Sequence, residues 1–126
     1  MTLSQADLVW NRAAIEGGGA APRMGDVALA ALIAFHSITM NGGLDHALEF
    51  FSPDEVAASI RGFRFFGFND VATMLECTGD VSPESEEEMD LQYSQLIPTD
   101  SVLVCAFESV FKSAPEIFAP VDGYAG

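Results

Sequence analysis

The stretch that most constrains this chain runs from Val27 to Met40 and reads V-A-L-A-A-L-I-A-F-H-S-I-T-M. Its fourteen residues are apolar on nearly every side of a helix, and a helix of that kind is buried in a protein core or in a membrane. Fourteen residues are too few to span a bilayer, which needs about 20, and the run contains His36. The stretch therefore predicts the central helix of a helical domain, which Asn41-Gly42-Gly43 ends with left-handed residues.

Helix start signals recur along the rest of the chain, and each one is a capping residue: Ser4, Ser52, Asn69, Ser82 and Thr99 or Asp100. Apolar residues repeat at helical spacing after each start. The pattern predicts an all-α fold, a single compact bundle of six or seven helices around a buried central helix at about 26–41. The chain is predicted to be one domain, 1–126, with a flexible glycine-rich loop at 17–23 and a frayed tail at 121–126.

Net charge is the unusual property of this composition. The 126 residues contain 19 acids and 5 Lys or Arg, which gives a net charge of −14. Residues 1–64 account for −3 and residues 65–126 for −11, because Lys112 is the one base of the second half. Such a field repels nucleic acid and anionic lipid and attracts basic protein surfaces. Direct nucleic-acid binding and membrane binding are therefore not expected.

The most acidic stretch, Asp80 to Asp90, carries six carboxylates and no base. Its helical part would place about one charge per 2 Å at a rise of ~1.5 Å per residue, close to the ~1.7 Å spacing along duplex DNA. That density suits a basic, nucleic-acid-binding surface. The alternative is a solvated face whose glutamates favour the helix dipole. The predicted partner-binding residues are Asp80, Glu84, Glu86, Glu87, Glu88, Asp90 and, as an exposed apolar contact, Leu91.

The two histidines do not assemble a recognisable reactive centre. We expect His36 to be satisfied in the core or at a helix end and His46 to lie on the surface, and neither adjoins a nucleophile motif. Asp45 and Glu49 are i, i+4 neighbours, but His46 points away from that pair. The acidic stretch also lacks the ligand order of a calcium loop. No catalytic, cofactor-binding or metal-binding residue is therefore predicted.

Three further residue groups have a structural and a functional interpretation. Arg61 and Arg64 are expected to pair with acids of neighbouring helices, with phosphate binding as the alternative. The phenylalanines between 63 and 68 are expected to fill the core, although an exposed part would suit a homodimer or partner interface. Cys77 and Cys105 are expected to be buried free thiols, with a disulfide between them as the alternative.

The expected location is the cytoplasm, for two reasons. Free thiols are typical of a reducing compartment. In addition, the N-terminal M-T-L-S-Q-A-D has no basic segment before an apolar run, so no signal peptide is predicted.

Two segments carry a resemblance to a known family. These are N-G-G at 41–43 and A-S-I-R-G-F-R-F-F-G-F-N-D-V-A at 58–72, and the likeness extends loosely over 27–118, including M-D-L-Q-Y at 89–93 and Phe118. The chain resembles a family of small all-helical bacterial domains of unknown function that includes acidic DNA-mimic proteins. The resemblance implies an all-α fold without established catalytic residues. In the mimic members it implies a negatively charged surface that occupies a DNA-binding partner.

Together these features favour a non-enzymatic acidic interaction protein, in which the charge of the second half binds a basic protein surface such as that of a DNA-binding regulator. An immunity- or antitoxin-like protein that neutralises a basic toxin would need the same charge. A small enzyme or ligand-binding bundle is the alternative from another class, and it would need a deep pocket near His36 or His46 with convergent polar groups.

Overall fold

Helices form almost all of the regular structure in the computed structural model, which describes residues 4–76 and 83–121 and, for residues 83–86, the backbone alone. Seven α-helices are followed by a short 3-10 helix at Pro115–Ile117. The α-helices are α1 (Gln5–Glu16), α2 (Met24–Gly42), α3 (Leu44–Phe50), α4 (Pro53–Phe65), α5 (Asn69–Glu76), α6 (Pro83–Leu96) and α7 (Asp100–Ser113). No strand occurs in the described ranges, and the predicted all-α class is confirmed.

Side-chain caps start two of these helices as the sequence predicts. The Asp7 amide donates to Ser4 Oγ at 3.1 Å and the Ser4 amide donates back to the Asp7 carboxylate at 3.2 Å. Ser52 and Glu55 make the same reciprocal pair at 3.2 and 3.0 Å. Each pair satisfies amides that the first helical turn leaves without a partner. Thr99 precedes α7, so that helix also begins where its capping signal places it.

The central helix is longer and less completely buried than the sequence predicts. It has 19 residues, and Asn41 and Gly42 belong to it, so Gly43, at φ +95°, is the one residue of that trio with a positive φ. One face carries core residues, whereas Val27 and Met40 are more than half exposed. The expectation of burial on nearly every side is therefore wrong for that second face, on which Met24, Ala34 and Ser37 are exposed as well.

The length argument against a membrane span also fails for this helix. At 19 residues α2 is long and apolar enough to cross a bilayer, and half of its most apolar window is buried inside the protein. Leu29, Leu32 and Phe35 on its buried face belong to the hydrophobic core. This burial is the observation that places α2 in the core of the bundle.

The core is built where α2 packs against α4, its most extensive helix partner. Gly62 of α4 lies against the backbone of α2, and a Cβ at that position would be 2.6 Å from the carbonyl oxygen of Ala28. Ser59, one turn earlier, is buried and donates its hydroxyl to the Glu55 carbonyl at 3.0 Å. The absence of a side chain at residue 62 therefore sets the separation of the two helices.

Phenylalanines fill the space around this helix pair. Phe63 is fully buried and meets Phe35, Phe68 and Tyr93 edge to face at centroid distances of 6.0, 6.2 and 6.3 Å. Phe66 is buried as well, and Phe65 is half-buried against the core. The interpretation of this cluster as core filling is confirmed. Edge-to-face geometry explains why closely spaced aromatic residues can pack together.

The C-terminal segment is held to α1 and α2 by a buried ion pair. Arg12 donates to Asp26 at 2.8 Å and to the carbonyl oxygens of Ala119 and Pro120 at 2.9 and 3.0 Å. Asp26, which is fully buried, also accepts from the Ala119 amide at 2.7 Å. Val121 packs against the core, so the predicted frayed tail does not begin there, and residues 122–126 lie outside the described ranges.

Cys105 corrects the expectation of two buried thiols. Its side chain is free and exposed on α7, because the buried stripe of that helix passes through Leu103 and Phe107. Cys77 lies outside the described residues.

The Gly62 contact predicts an outcome opposite to helix propensity. Alanine at a helical glycine normally stabilises by about 1 kcal/mol, but here the added methyl group would collide with backbone. We expect Gly62→Ala to lower the free energy of unfolding by about 1–3 kcal/mol, the usual cost of overpacking. Urea denaturation followed by circular dichroism measures this directly.

Gly42→Ala is the matched control, because it too adds a methyl group to a helical glycine. Its nearest neighbours would be Cδ2 and Cγ of the exposed His46 side chain at 2.6 and 2.8 Å, which rotation of that side chain relieves, and His46 Cβ at 3.2 Å, a tight contact that a small shift accommodates. We expect this variant to stay within about 0.5 kcal/mol of the unmodified protein. A Gly62→Ala variant as stable as the Gly42→Ala variant would contradict the close approach of α2 and α4.

Candidate functional site

The residues predicted for partner binding belong to α6 and to the segment before it. Glu87 and Glu88 are exposed, and Leu91, one turn further, has 61% of its surface exposed. The exposure predicted for Leu91 is therefore confirmed. Asp80 lies outside the described residues, and of Glu84 and Glu86 only the backbone, within α6, is described.

Asp90 has a structural contact that the sequence does not reveal. Its Oδ1 accepts a hydrogen bond from the Leu44 amide at 2.7 Å, and the residue is half-buried. Leu44 is the first residue of α3, so the Asp90 carboxylate caps that helix from α6. One carboxylate predicted for binding thus also joins two helices.

α3 adds its own acids beside α6, against which it packs. The Oδ1 of Asp45 and the Oδ2 of Asp90 lie 2.9 and 3.1 Å from the point where a Cβ of Gly43 would sit. The two carboxylates therefore converge at the start of α3. On the same helix Glu49 is exposed and follows Asp45 by one turn. We call Asp45, Glu49, Glu87, Glu88 and Asp90 the α3–α6 acidic face.

The bases of the chain lie on other elements, since neither α3 nor α6 contains Lys or Arg. Arg12 pairs with buried Asp26, and Arg23 donates to the Glu116 carbonyl at 2.9 Å. Arg64 on α4 pairs with Glu76 on α5, and its guanidinium holds the pKa of the Glu76 carboxyl below its usual value. The expected pairing with a neighbouring helix is confirmed for Arg64, whereas Arg61 is exposed without an acidic partner in the described ranges.

A second polar cluster lies inside the bundle, around His36. His36 is buried, with Nδ1 2.7 Å from the Tyr93 hydroxyl and Nε2 2.7 Å from Asp100 Oδ1. The three residues come from α2, α6 and the first turn of α7. The prediction that His36 is satisfied in the core is confirmed. We call these three residues the His36 relay.

The chemistry of the partners sets the tautomer of His36. A carboxylate can only accept, so Nε2 carries the hydrogen that is shared with Asp100. Burial, and secondarily the charge of Asp100, raises the pKa of Tyr93, so its hydroxyl keeps its proton and can donate a hydrogen bond to Nδ1. Each of the three side chains then has a hydrogen-bond partner.

The relay has the order of groups found in a catalytic triad: a hydroxyl, an imidazole and a carboxylate. Its hydroxyl group, however, is not accessible to a substrate. A nucleophile must reach substrate, and Tyr93 is 1% exposed. Asp100, by contrast, has 77% of its side chain exposed. The relay therefore ties three helices together and fixes an exposed carboxylate at the surface.

A cleft opens beside this carboxylate, between α1, α2 and α7. Its volume is about 430 Å³, and its lining includes Trp10, Ile33, Ser37, Met40, Asn41 and Asp100. We call it the Trp10 cleft. A larger cleft of about 710 Å³ lies between the 17–23 loop and the C-terminal segment, but Arg12 and Arg23 at its edge already bind carbonyl groups.

Asp45, His46 and Glu49 are the three potential metal-ligand residues of α3. His46 is exposed, as predicted, and its ring lies 6.3 Å from that of Phe50. Within residues 4–76 and 83–121, no group of three or more His, Cys, Asp or Glu side chains is arranged to hold a metal ion.

Comparison with known proteins identifies no relative. No family model, curated protein or solved structure matches the chain. The resemblance to the DNA-mimic family therefore stays a prediction, and the functional interpretation depends on the acidic face, the His36 relay and the Trp10 cleft.

The raised pKa of Tyr93 predicts alkaline sensitivity. Tyr93 contributes its full share of the unfolding free energy at any pH below the pKa of tyrosine in the unfolded chain, which is about 10. Because its pKa is raised in the folded state, that contribution falls as the pH rises above this value. Above pH ~10 we expect the unfolding free energy of the unmodified protein to fall more steeply than that of the Tyr93→Phe variant. The difference between the two slopes should be about 1.4 kcal/mol per pH unit.

Urea unfolding of both proteins from pH 8 to pH 11 measures this difference. Because both contain Tyr124 and Lys112, the titration of those groups cancels in the comparison. Parallel stability profiles above pH 10 would show that burial does not protect Tyr93 from ionisation.

Proposed function

We propose that this chain is a non-enzymatic acidic interaction protein whose α3–α6 acidic face binds the basic surface of another protein. The observation that carries the proposal is the lack of internal neutralisation: five carboxylates lie on two packed helices that have no base of their own. Such a surface attracts cations and suppresses binding to anionic partners.

The apolar contact at Leu91 supports a protein partner rather than counterions alone. Leu91 follows Glu87 and Glu88 by one helical turn, so an exposed leucine stands beside exposed carboxylates. Protein interfaces combine a desolvated apolar centre with a polar rim, and charges around the centre mainly raise the association rate and select the partner. The chemistry of this face fits a basic protein that also offers an apolar contact.

A DNA-binding protein is the partner we propose in the first place. The acids between 84 and 90 follow one another along α6 with a charge density close to that of duplex DNA. A basic groove that neutralises phosphates would accept this helix by the same electrostatics. The chain would then act as a DNA mimic and compete with nucleic acid for that groove.

We expect loss of two charges from the face to weaken binding more than loss of two charges elsewhere. Glu87→Gln/Glu88→Gln alters the face, and Glu16→Gln/Glu108→Gln alters two exposed acids on α1 and α7. The two variants have the same net charge. With up to about 1 kcal/mol for each of the two exposed contacts, the face variant should bind the partner up to about thirtyfold more weakly.

The measurement starts from a host lysate passed at low salt over the immobilised chain, with elution by a salt gradient. The captured basic protein is then purified and titrated against both variants, and duplex DNA is added as competitor. Equal affinity of the two variants would contradict the proposed face. A partner that DNA does not displace would contradict mimicry and favour neutralisation of a basic toxin.

A further inference from the structure

The Trp10 cleft combines the features of a site for a cationic side chain. Asp100 is the one carboxylate in its lining, His36 lies behind it, and no Lys or Arg lines the cleft. Trp10 contributes an aromatic wall, and Ile33, Met40 and Leu103 contribute apolar surface. Its volume of about 430 Å³ lies within the range of sites that enclose small ligands.

The carboxylate in this cleft is held in place before any ligand arrives. Asp100 Oδ1 accepts from His36 Nε2 at 2.7 Å, and His36 is buried and bonded to Tyr93 on its other side. An exposed carboxylate normally loses rotational freedom when it pairs with a cation, which cancels much of the gain. Here the relay has already restricted the Asp100 side chain, and its Oδ2 has no hydrogen-bond donor in the described part of the chain.

Two further contributions favour positive charge in the cleft. Met40 and Asn41 belong to the last turn of α2, where unpaired carbonyl groups give the helix end a partial negative charge. An indole face attracts cations, and a planar guanidinium can stack on it. The apolar walls suit the methylene stem of an arginine, which buries its carbons while its head group meets a carboxylate.

The cleft is close to the acidic face along the chain. Gly43, where the carboxylates of Asp45 and Asp90 converge, is two residues beyond Asn41 in the cleft lining. Tyr93 of the relay follows Asp90 by one turn of α6. The carboxyl end of α2 therefore connects the acidic face with the cleft.

We propose that the Trp10 cleft is the anchor site for one arginine side chain of the basic partner, bound between the Trp10 ring and the Asp100 carboxylate. This inference rests on the proposed function, since it specifies how the partner of the acidic face is held. The acidic face would then attract the basic partner, and the cleft would bind one of its arginine side chains in a contact that excludes water. Buried anchors of this kind dominate the affinity of many protein interfaces.

Trp10 makes the test specific, because it is the one tryptophan of the chain. The probe is N-acetyl-arginine amide, and its neutral isostere N-acetyl-citrulline amide is the matched control ligand. The indole N–H resonance of the full-length protein is followed by NMR during each titration. We expect a saturating shift with the arginine probe and no saturation with the citrulline probe over the same range; an equal response to both would overturn the proposal.

Two variants test the roles of the cleft residues. Asp100→Asn should raise the half-saturating concentration of the arginine probe at least tenfold, and Glu108→Gln, which removes one exposed charge from the same helix, should leave it unchanged. Ser37→Phe should abolish saturation by filling the cleft, and it leaves the three residues of the relay unsubstituted. Urea unfolding of each variant establishes that it is folded. An unchanged half-saturation for Asp100→Asn or for Ser37→Phe would overturn the proposal.

Failure of this inference and failure of the proposed function are distinguishable. Suppose the basic partner binds the Glu87→Gln/Glu88→Gln variant more weakly than its control, but the titration with the arginine probe does not saturate. The acidic face is then supported as the binding surface, and the arginine site in the Trp10 cleft is refuted. If the probe behaves as expected but the partner does not distinguish those variants, the cleft is a cation site and the proposed face is refuted. N-acetyl-lysine amide shows whether the site requires the planar guanidinium: binding as tight as that of the arginine probe would overturn the assignment to arginine.

Discussion

A buried imidazole with a hydrogen bond on each nitrogen is the interaction on which this structure depends most. His36 joins α2 to α6 through Tyr93 and to α7 through Asp100. A buried polar group without a partner costs about 1–3 kcal/mol, so an arrangement of these helices that leaves the ring unsatisfied is disfavoured. The core around α2 and α4 provides stability by burial of apolar surface, and the relay specifies how the second half of the chain is placed on it.

The high negative charge acts against this fold and makes the position of each base important. Like charges in a compact state repel, and the 5 bases cannot neutralise 19 acids. Arg12 and Arg64 stabilise contacts between elements of the bundle. α3 and α6 have no base, so their carboxylates remain available to a cation from outside. A partner with basic side chains would relieve this repulsion.

Helix positions were predictable because their signals are local. Ser4, Ser52 and Thr99 lie where the helices begin, since a capping residue and its helix are neighbours in sequence. The degree of burial of α2 was not predictable, because an apolar pattern does not say how many neighbours surround a helix. The His36 relay was missed for the same reason: its members are 57 and 64 residues apart, and no periodicity links such distant positions. The sequence indicated the acids of the acidic face that lie on α6. The contribution of Asp45 was not predictable, because it follows from the packing of α3 on α6.

Two aspartates in this structure use their oxygen atoms for different purposes. In Asp90 one oxygen receives the amide of Leu44, and in Asp100 one oxygen receives the imidazole of His36; in neither case does a hydrogen-bond donor of the described residues occupy the other. A visiting cation can therefore use the second oxygen without displacing the group that maintains the fold. The same carboxylate can therefore hold the fold together with one oxygen and receive a cation with the other, so conversion of either residue to its amide would alter both stability and recognition.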